Sequence, residues 1–152
     1  MASSYLNKVL NRAERKLVIA TAVRKLRKIK DKFDAIAVTG SSGLLIGPAV
    51  ADKLDKELIL VRKDKDNSHS CLAIEHDGIS QLDVRYIILD DMVASGDTVR
   101  AIHRKISENG YGVNFDYVGL YLYNQNAESF SYRHDKLAFH KREHIAILAG
   151  RE

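Results

Sequence analysis

Short, almost uninterrupted apolar runs, each followed by small or polar residues, constrain the fold of this chain more than any other feature. Four such runs are predicted to be strands: Asp34–Thr39, Glu57–Arg62, Arg85–Leu89 and Asp116–Tyr123. Helical spacing of apolar residues predicts helices between them, at Leu45–Leu54 and at Thr98–Glu108 with Gly110 as its stop. Near-continuous apolar strands are typical of a sheet covered on both faces. The sequence therefore predicts an α/β domain with a mainly parallel sheet flanked by helices.

The segment before the first strand is predicted to be helical and is strongly basic. No Gly or Pro occurs from Leu6 to Ile29, which could form one long helix or two shorter ones, with Ser3 or Ser4 as the expected cap. Its apolar residues are expected to share one helical face: Leu6, Val9, Leu10, Ala13, Leu17, Ala20 and Val23. Residues 1–32 carry ten Lys/Arg and two acidic residues, a net charge of +8, within a chain whose net charge is +4. A solvated helix face is the favoured interpretation, and contact with nucleic acid is the alternative.

The length and composition of the chain exclude several classes of protein. With 152 residues, of which 45% are hydrophobic, the chain fits one domain with a buried core and is not globally disordered. The single cysteine, Cys71, excludes an intrachain disulfide framework and any multi-cysteine zinc site. No apolar run is long enough to span a membrane, and residues 1–8 lack a signal-peptide layout. We therefore expect a cytoplasmic protein that has no membrane partner.

The third predicted strand is followed by two adjacent carboxylates and then by a loop of small residues. Asp90 and Asp91 come directly after the strand, and the loop Ala94–Thr98 leads into the next helix. Ligands of parallel α/β sheets bind beyond the carboxyl ends of the strands. Carboxylates there can accept hydrogen bonds from a vicinal diol or hold water around Mg²⁺, and free N–H groups at a helix start bind phosphate. Together the carboxylate pair and the small-residue loop indicate a ribose 5-phosphate site. Either feature alone is also typical of a simple turn or helix cap.

Two further groups of residues follow the first and second predicted strands. Thr39–Gly43 is a small, hydroxyl-rich loop whose backbone can approach an anion closely, or an ordinary glycine turn. It lacks the Lys-Ser/Thr pair of a Walker A loop. Arg62 and Lys63 form a cationic pair at a strand end, followed by the polar loop Asp64–Gly78. The pair would face the same crevice as the carboxylates, unless it is only a solvated strand end.

Residues Tyr86–Thr98 resemble the phosphoribosyl pyrophosphate motif of the type I phosphoribosyltransferases. They run from apolar residues through two acidic residues to small residues with a Ser-Gly pair and a following Thr. Ser95 stands where the family more often has Thr, and Asp97 stands where Gly or a basic residue is common. The resemblance covers roughly Phe33–Leu122 and implies the fold of that family. Residues 1–32 and 124–152 would then form a small hood over the site, or contacts with another subunit.

The resemblance also implies roles for individual residues. Asp90, Asp91 and Lys63 would be catalytic, and Thr39–Gly43 would bind pyrophosphate while Ala94–Thr98 binds the 5-phosphate. His69 is reminiscent of a loop histidine of the orotate branch, but the residues around it do not keep that branch's pattern. The complete set of implied substrate-binding residues is Thr39, Gly40, Ser41, Ser42, Gly43, Arg62, Ala94, Ser95, Gly96, Asp97 and Thr98.

The activity implied by the resemblance is transfer of a 5-phosphoribosyl group from phosphoribosyl pyrophosphate to a nucleobase, in nucleotide salvage. Mg²⁺ is the implied cofactor, held through the substrate, through water and by Asp90 and Asp91. A homodimer is expected, and the acceptor base is unassigned within an adenine- or orotate-like branch. The alternative is a non-catalytic regulator with the same fold that binds nucleotide, and RNA through its basic N-terminal segment.

The C-terminal part of the chain contains weaker candidates. His140 and His144 have the spacing of metal ligands on a helix, but no third ligand is apparent and surface histidines are the favoured interpretation. The segment Leu137–Leu148 could be a helix or short strands. The aromatic residues near the C-terminus could stack on a base or pack in the core: Tyr121, Tyr123, Phe130, Tyr132 and Phe139.

Overall fold

The computed structural model describes residues 7–63, 73–93, 95–125 and 137–148. Within these residues one sheet has the strand order β3-β2-β1-β4-β5-β6. All neighbouring strands are parallel except β2 and β3, which are antiparallel. The mainly parallel sheet predicted from the sequence is thus confirmed. The strands are β1 (Ala35–Val38), β2 (Glu57–Val61), β3 (Ile74–Glu75), β4 (Asp83–Asp90), β5 (Asn114–Leu122) and β6 (Ile145–Leu148).

Helices cover both faces of this sheet, and none in the described part of the chain could cross a membrane. One face packs against residues of the N-terminal helices and of the helix after β1, and the other packs against the helix that follows β4. This arrangement explains why the central strands are apolar on both sides. The helices are α1 (Asn7–Leu10), α2 (Arg12–Arg27), α3 (Gly40–Leu44), α4 (Gly47–Leu54) and α5 (Asp97–Glu108).

The N-terminal segment forms two helices, and its buried face differs from the predicted one. Asn11 separates α1 from α2, because its side chain accepts hydrogen bonds from two backbone N–H groups of the first turn of α2. Of the residues predicted to share one face, Val9 is buried but Leu10 and Leu17 are 59% and 62% exposed, whereas Ala22 and Leu26 are buried. The apolar residues of this segment fit two overlapping helical faces, one that contains Leu10 and Leu17 and one that contains Ala22 and Leu26. Packing against α4 buries the face that contains Ala22 and Leu26. The predicted cap, Ser3 or Ser4, lies outside the described residues.

The connection after β1 is more helical than the sequence predicts. Gly40–Leu44, predicted to be a loop, forms α3, and the helix predicted at Leu45–Leu54 begins at Gly47. Gly40 has φ +59°, a left-handed conformation that lets the chain turn directly from the strand into a helical turn. Pro48 lies in the first turn of α4, where a missing N–H group costs no hydrogen bond.

The order of the strands produces a crevice at one edge of the sheet. The chain leaves β1 toward β2 on one side and later returns to β4 on the other side. The carboxyl ends of these strands point to the same edge because the three strands are parallel. Their connections therefore diverge between β1 and β4, which is where parallel α/β sheets bind ligands.

Candidate functional site

A cavity of about 520 Å³ lies at this divergence, beyond the carboxyl ends of β1, β2 and β4. It brings together residues that are far apart in the sequence and that come from three of the predicted groups. Most of the residues singled out from the sequence contribute to its walls. The lining comprises Thr39, Ser41, Ser42, Lys63, Asp90, Asp91, Met92, Val93, Ser95, Gly96, Asp97, Thr98 and Val99.

Two adjacent carboxyl groups form the floor of the cavity. Asp90 is the last residue of β4 and Asp91 follows it, and they are only 3% and 8% exposed. Burial raises the pKa of Asp90 to about 7, and the negative charge of Asp91 adds to this effect. The two aspartates therefore form a site where a second negative charge is costly and where hydrogen-bond donors or a cation would be stabilised.

Helix α3, which follows β1, is hydrogen-bonded both to Asp90 and to Tyr123. The hydroxyl of Ser42 donates a 2.8 Å hydrogen bond to Oδ1 of Asp90, and the backbone N–H of Asp91 donates a second one at 2.9 Å. The hydroxyl of Tyr123, after β5, donates to the carbonyl oxygen of Ser42 at 2.7 Å. These bonds hold the Ser42 turn of α3 against the carboxylates and fix the width of the cavity at this end.

Lys63 reaches the cavity across Gly40. A Cβ atom at Gly40 would lie 2.8 Å from Cε and 2.9 Å from Nζ of Lys63, so Lys63 passes directly over this residue, whose φ of +59° favours glycine. Thr39 is only 6% exposed, and its hydroxyl donates to the carbonyl oxygen of Val61 at 2.6 Å. The Thr39 hydroxyl therefore joins the ends of β1 and β2, and the amino group of Lys63 is the cation that this edge presents.

Three predicted substrate-binding residues, Gly40, Gly43 and Arg62, do not line the main cavity, and Gly40 lines a smaller cavity beside it. Gly43 is buried behind the turn, where a Cβ atom would lie 2.8 Å from Cβ of Val38, so this glycine allows α3 to pack closely on β1. The guanidinium of Arg62 pairs with Glu75 of β3, with an N–O distance of 2.6 Å. It lies between smaller cavities beside the main one.

The loop after Asp91 ends in a helix N-terminus that faces the cavity. Gly96 has φ +89° and precedes α5, and the hydroxyl of Ser95 accepts a 3.3 Å hydrogen bond from the N–H of Asp97. The carboxylate of Asp97 forms an ion pair with Arg100 one turn later, and its side chain is 81% exposed. The acidic residue that departs from the family's motif is thus paired within α5, which leaves the helix N-terminus suited to an anion. Ala94 lies outside the described residues.

Several residues that the sequence did not single out also shape this site. Met92, Val93 and Val99 line the cavity. The buried side chain of Gln125, which follows β5, accepts a 3.1 Å hydrogen bond from the backbone N–H of Val93 and so holds the start of the loop between β4 and α5. Gln125 lies just after the carboxyl end of a predicted parallel strand, and this position is the signal in the sequence that could have identified it.

The interpretation of the two C-terminal histidines as surface residues is wrong for one of them. His140 is 5% exposed, and its Nδ1 shares a 2.6 Å hydrogen bond with the hydroxyl of Tyr117. Burial lowers the pKa of His140 to about 4. Leu137–Leu148 contains strand β6 rather than a helix. His69, Cys71, Phe130 and Tyr132 lie outside the described residues.

The donor set of the cavity fits Mg²⁺ bound partly through a substrate. Among the described residues no group of three or more His, Cys, Asp or Glu side chains could hold a metal by itself. Asp90 and Asp91 provide two carboxylates at one position, and burial together with the charge of Asp91 raises the pKa of Asp90. Magnesium commonly binds through one or two carboxylates together with waters and substrate phosphates.

Comparison with known proteins agrees with this geometry. The sequence profile of the phosphoribosyl transferase domain matches residues 7–112. An adenine phosphoribosyltransferase from Bifidobacterium longum (strain DJO10A) is 32% identical over 117 residues, which cover 68% of this chain and 60% of that protein. The chain thus spans less than two thirds of the length of this curated relative.

Solved structures show the same fold at lower sequence identity. The orotate phosphoribosyltransferase from Francisella tularensis superposes with a TM-score of 0.64 at 14% identity and covers 93% of this chain and 67% of its own. An adenine phosphoribosyltransferase from Rhodothermus marinus DSM 4252 superposes with a TM-score of 0.61 at 16% identity, covering 98% and 85%. At these identities the superpositions show a shared fold.

Proposed function

Because the chain belongs to the phosphoribosyl transferase domain family, we propose that it transfers the 5-phosphoribosyl group from phosphoribosyl pyrophosphate to a nucleobase. The observation that carries the proposal is the single cavity in which Asp90, Asp91, Lys63 and the N-terminus of α5 meet. We propose adenine as the acceptor, on the name of the curated relative from Bifidobacterium longum. The products would be a nucleoside monophosphate and pyrophosphate.

The substrate would bind with its two phosphate-bearing ends on opposite sides of the aspartates. Ser95–Thr98 and the N-terminus of α5 would hold the 5-phosphate through backbone N–H groups and hydroxyls. The Ser41–Ser42 turn and the amino group of Lys63 would hold the pyrophosphate. Asp90 and Asp91, between them, would accept hydrogen bonds from the ribose hydroxyls.

Catalysis would depend on positioning and electrostatics. A nitrogen of the base forms a bond to C1 of the ribose while the bond from C1 to the pyrophosphate oxygen breaks, and the ring carries positive charge in between. The buried carboxylates would stabilise this charge, and Lys63 would stabilise the negative charge on the leaving pyrophosphate. Mg²⁺, when bound with the substrate, supplies further neutralisation of the phosphate oxygens.

The proposal is tested by measuring pyrophosphate release from phosphoribosyl pyrophosphate and Mg²⁺ with a panel of purine and pyrimidine bases. We expect turnover with adenine and a large loss, of about 100-fold or more, in the double variant Asp90→Asn/Asp91→Asn. Asp52→Asn, on the exposed surface of α4, is the matched control and should keep full activity. Absence of turnover with every base, or full activity of the double variant, would contradict the proposal.

A further inference from the structure

Lys105 is a buried lysine beside the site that the mechanism above does not use. It lies on α5 and is only 8% exposed, although lysine is rarely buried to this extent. Its amino group donates a hydrogen bond to the backbone carbonyl oxygen of Arg62. Arg62 directly precedes Lys63, so this bond joins the phosphate-binding helix to the peptide from which Lys63 extends.

The end of β2 is also held at other atoms, among them the guanidinium of Arg62, which pairs with Glu75. The Thr39 hydroxyl binds the carbonyl oxygen of Val61, one residue earlier. The backbone N–H of Arg62 donates to the carbonyl oxygen of Ala73 at 2.9 Å. The hydrogen bond from Lys105 acts on the carbonyl of the peptide that links Arg62 to Lys63. The orientation of that peptide sets the direction in which the Lys63 side chain leaves the strand.

The space around Lys105 continues into the proposed site. A cavity of about 280 Å³ is lined by Lys105, Arg62 and Lys63 together with Thr39 and Thr98, and the last two also line the main cavity. The side chain of Lys63 extends from the 62–63 peptide over Gly40, and its Cε and Nζ atoms occupy space that a Cβ atom at residue 40 would fill. A small rotation of the 62–63 peptide would therefore move the amino group of Lys63 out of register with a bound pyrophosphate.

We infer that Lys105 is a positioning residue, whose hydrogen bond to the Arg62 carbonyl holds Lys63 at the pyrophosphate end of the site. This inference rests on the proposed function, because it assigns Lys63 to pyrophosphate. Lys105 acts through Lys63. A direct attraction between the charge of Lys105 and the ligand predicts a different result, because such an attraction persists when Lys63 is absent.

A double-mutant cycle separates these two modes of action. The affinity for Mg²⁺ and inorganic pyrophosphate is measured by calorimetry for the wild type, Lys63→Ala, Lys105→Met and the double variant. We expect Lys105→Met to weaken binding about tenfold in the wild-type background and to have almost no effect in the Lys63→Ala background. Equal losses in the two backgrounds would overturn the positioning role.

Two further variants control for charge and for structure. Lys53→Met, on the exposed surface of α4, removes the same charge from a helix outside both cavities and should leave pyrophosphate affinity unchanged. Lys105→Arg keeps the charge and hydrogen-bond donors in a bulkier side chain, so it should recover part of the lost affinity. Failure of Lys105→Arg to improve on Lys105→Met would count against the inference.

Amide hydrogen exchange tests the contact itself without any ligand. Lys105→Met should speed exchange of the Arg62 amide several-fold, because the strand end loses one of its attachments, while amides in the middle of β4 stay unchanged. Unchanged exchange at Arg62 would overturn the inference. If exchange rises but the wild type does not bind pyrophosphate, the proposed function fails while the attachment of β2 by Lys105 stands.

Discussion

Asp90 lies where a ligand would stabilise its charge, and burying this charge lowers the stability of the ligand-free protein. Its carboxyl group is almost fully buried and accepts hydrogen bonds from Ser42 and from the Asp91 backbone, yet burial and the neighbouring carboxylate raise its pKa to about 7. The hydrogen bonds stabilise its charge only in part. A substrate or cation would supply the remaining stabilisation.

The free energy of unfolding should fall with rising pH, because burial disfavours the ionised form of Asp90. The pKa of Asp90 rises from 3.8 when unfolded to about 7 when folded, so its contribution to stability is present below about pH 4 and is lost as the pH rises to 7. Asp90→Asn cannot ionise and keeps an acceptor for Ser42. We expect it to raise the free energy of unfolding by on the order of 2 kcal/mol near pH 8 and hardly at all near pH 4.

Urea unfolding of the ligand-free protein at both pH values measures this difference. Asp52→Asn serves as the control, since Asp52 is exposed on α4. A gain in stability that is the same at both pH values would show that the titration of Asp90 is not its origin. The same variant should lose activity, as the proposed role of Asp90 requires.

At the scale of elements, the packing of α4 against β1 depends on the absence of a side chain. A Cβ atom at Gly47 would lie 2.7 Å from Cγ1 of Val38, which is closer than carbon atoms approach in proteins. The helix therefore lies directly on the strand, and the turn that precedes it is held at the edge of the cavity. Sequence patterns identify such a glycine as a helix start or a turn and do not report what it packs against.

A compensating pair of substitutions tests this contact. Gly47→Ala should lower the free energy of unfolding by about 1–2 kcal/mol through overpacking, despite the better helix propensity of alanine. Val38→Ala removes the opposing methyl groups and should abolish most of that loss when the two are combined. Ile36→Val, elsewhere on β1, should simply add to Gly47→Ala. Additive losses for the Val38 pair, measured by urea unfolding, would contradict the proposed contact.

At the scale of the whole molecule, the positive charge is concentrated in residues 1–32, whereas the rest of the chain is net negative. Exposed Leu10 and Leu17 lie within this basic segment. Truncation of the segment cannot test its role, because α2 supplies Ala22 and Leu26 to the core. Substitutions of exposed residues are therefore required.

We propose that the protein forms a homodimer through the N-terminal surface that carries exposed Leu10 and Leu17. The effect of salt on association distinguishes this dimer from nucleic-acid binding. Two copies of a basic surface repel each other, so raising the salt from about 50 to about 500 mM should tighten the dimer, whereas nucleic-acid binding would weaken. In sedimentation velocity, Leu10→Ser/Leu17→Ser should favour the monomer. Leu82→Ser, exposed before β4, is the control and should not. A monomer at every salt concentration would exclude the proposal.

The sequence by itself determined the parallel sheet and most of the residues that meet in the cavity. It could do so because apolar runs mark buried strands locally, and because the ends of parallel strands share one edge. Asp90, Asp91, Lys63 and the loop around Gly96 were all identified by their position directly after such runs.

Only the tertiary structure decided which helical face is buried, where Arg62 and Gly43 lie, and that Lys105 and Gln125 form hydrogen bonds with the backbone at Arg62 and Val93. These outcomes depend on which elements come into contact across long stretches of chain. Glu75 draws the Arg62 guanidinium toward β3, and Val38 occupies the space beside Gly43. Local patterns describe one element at a time, whereas the energy of a buried contact depends on both partners.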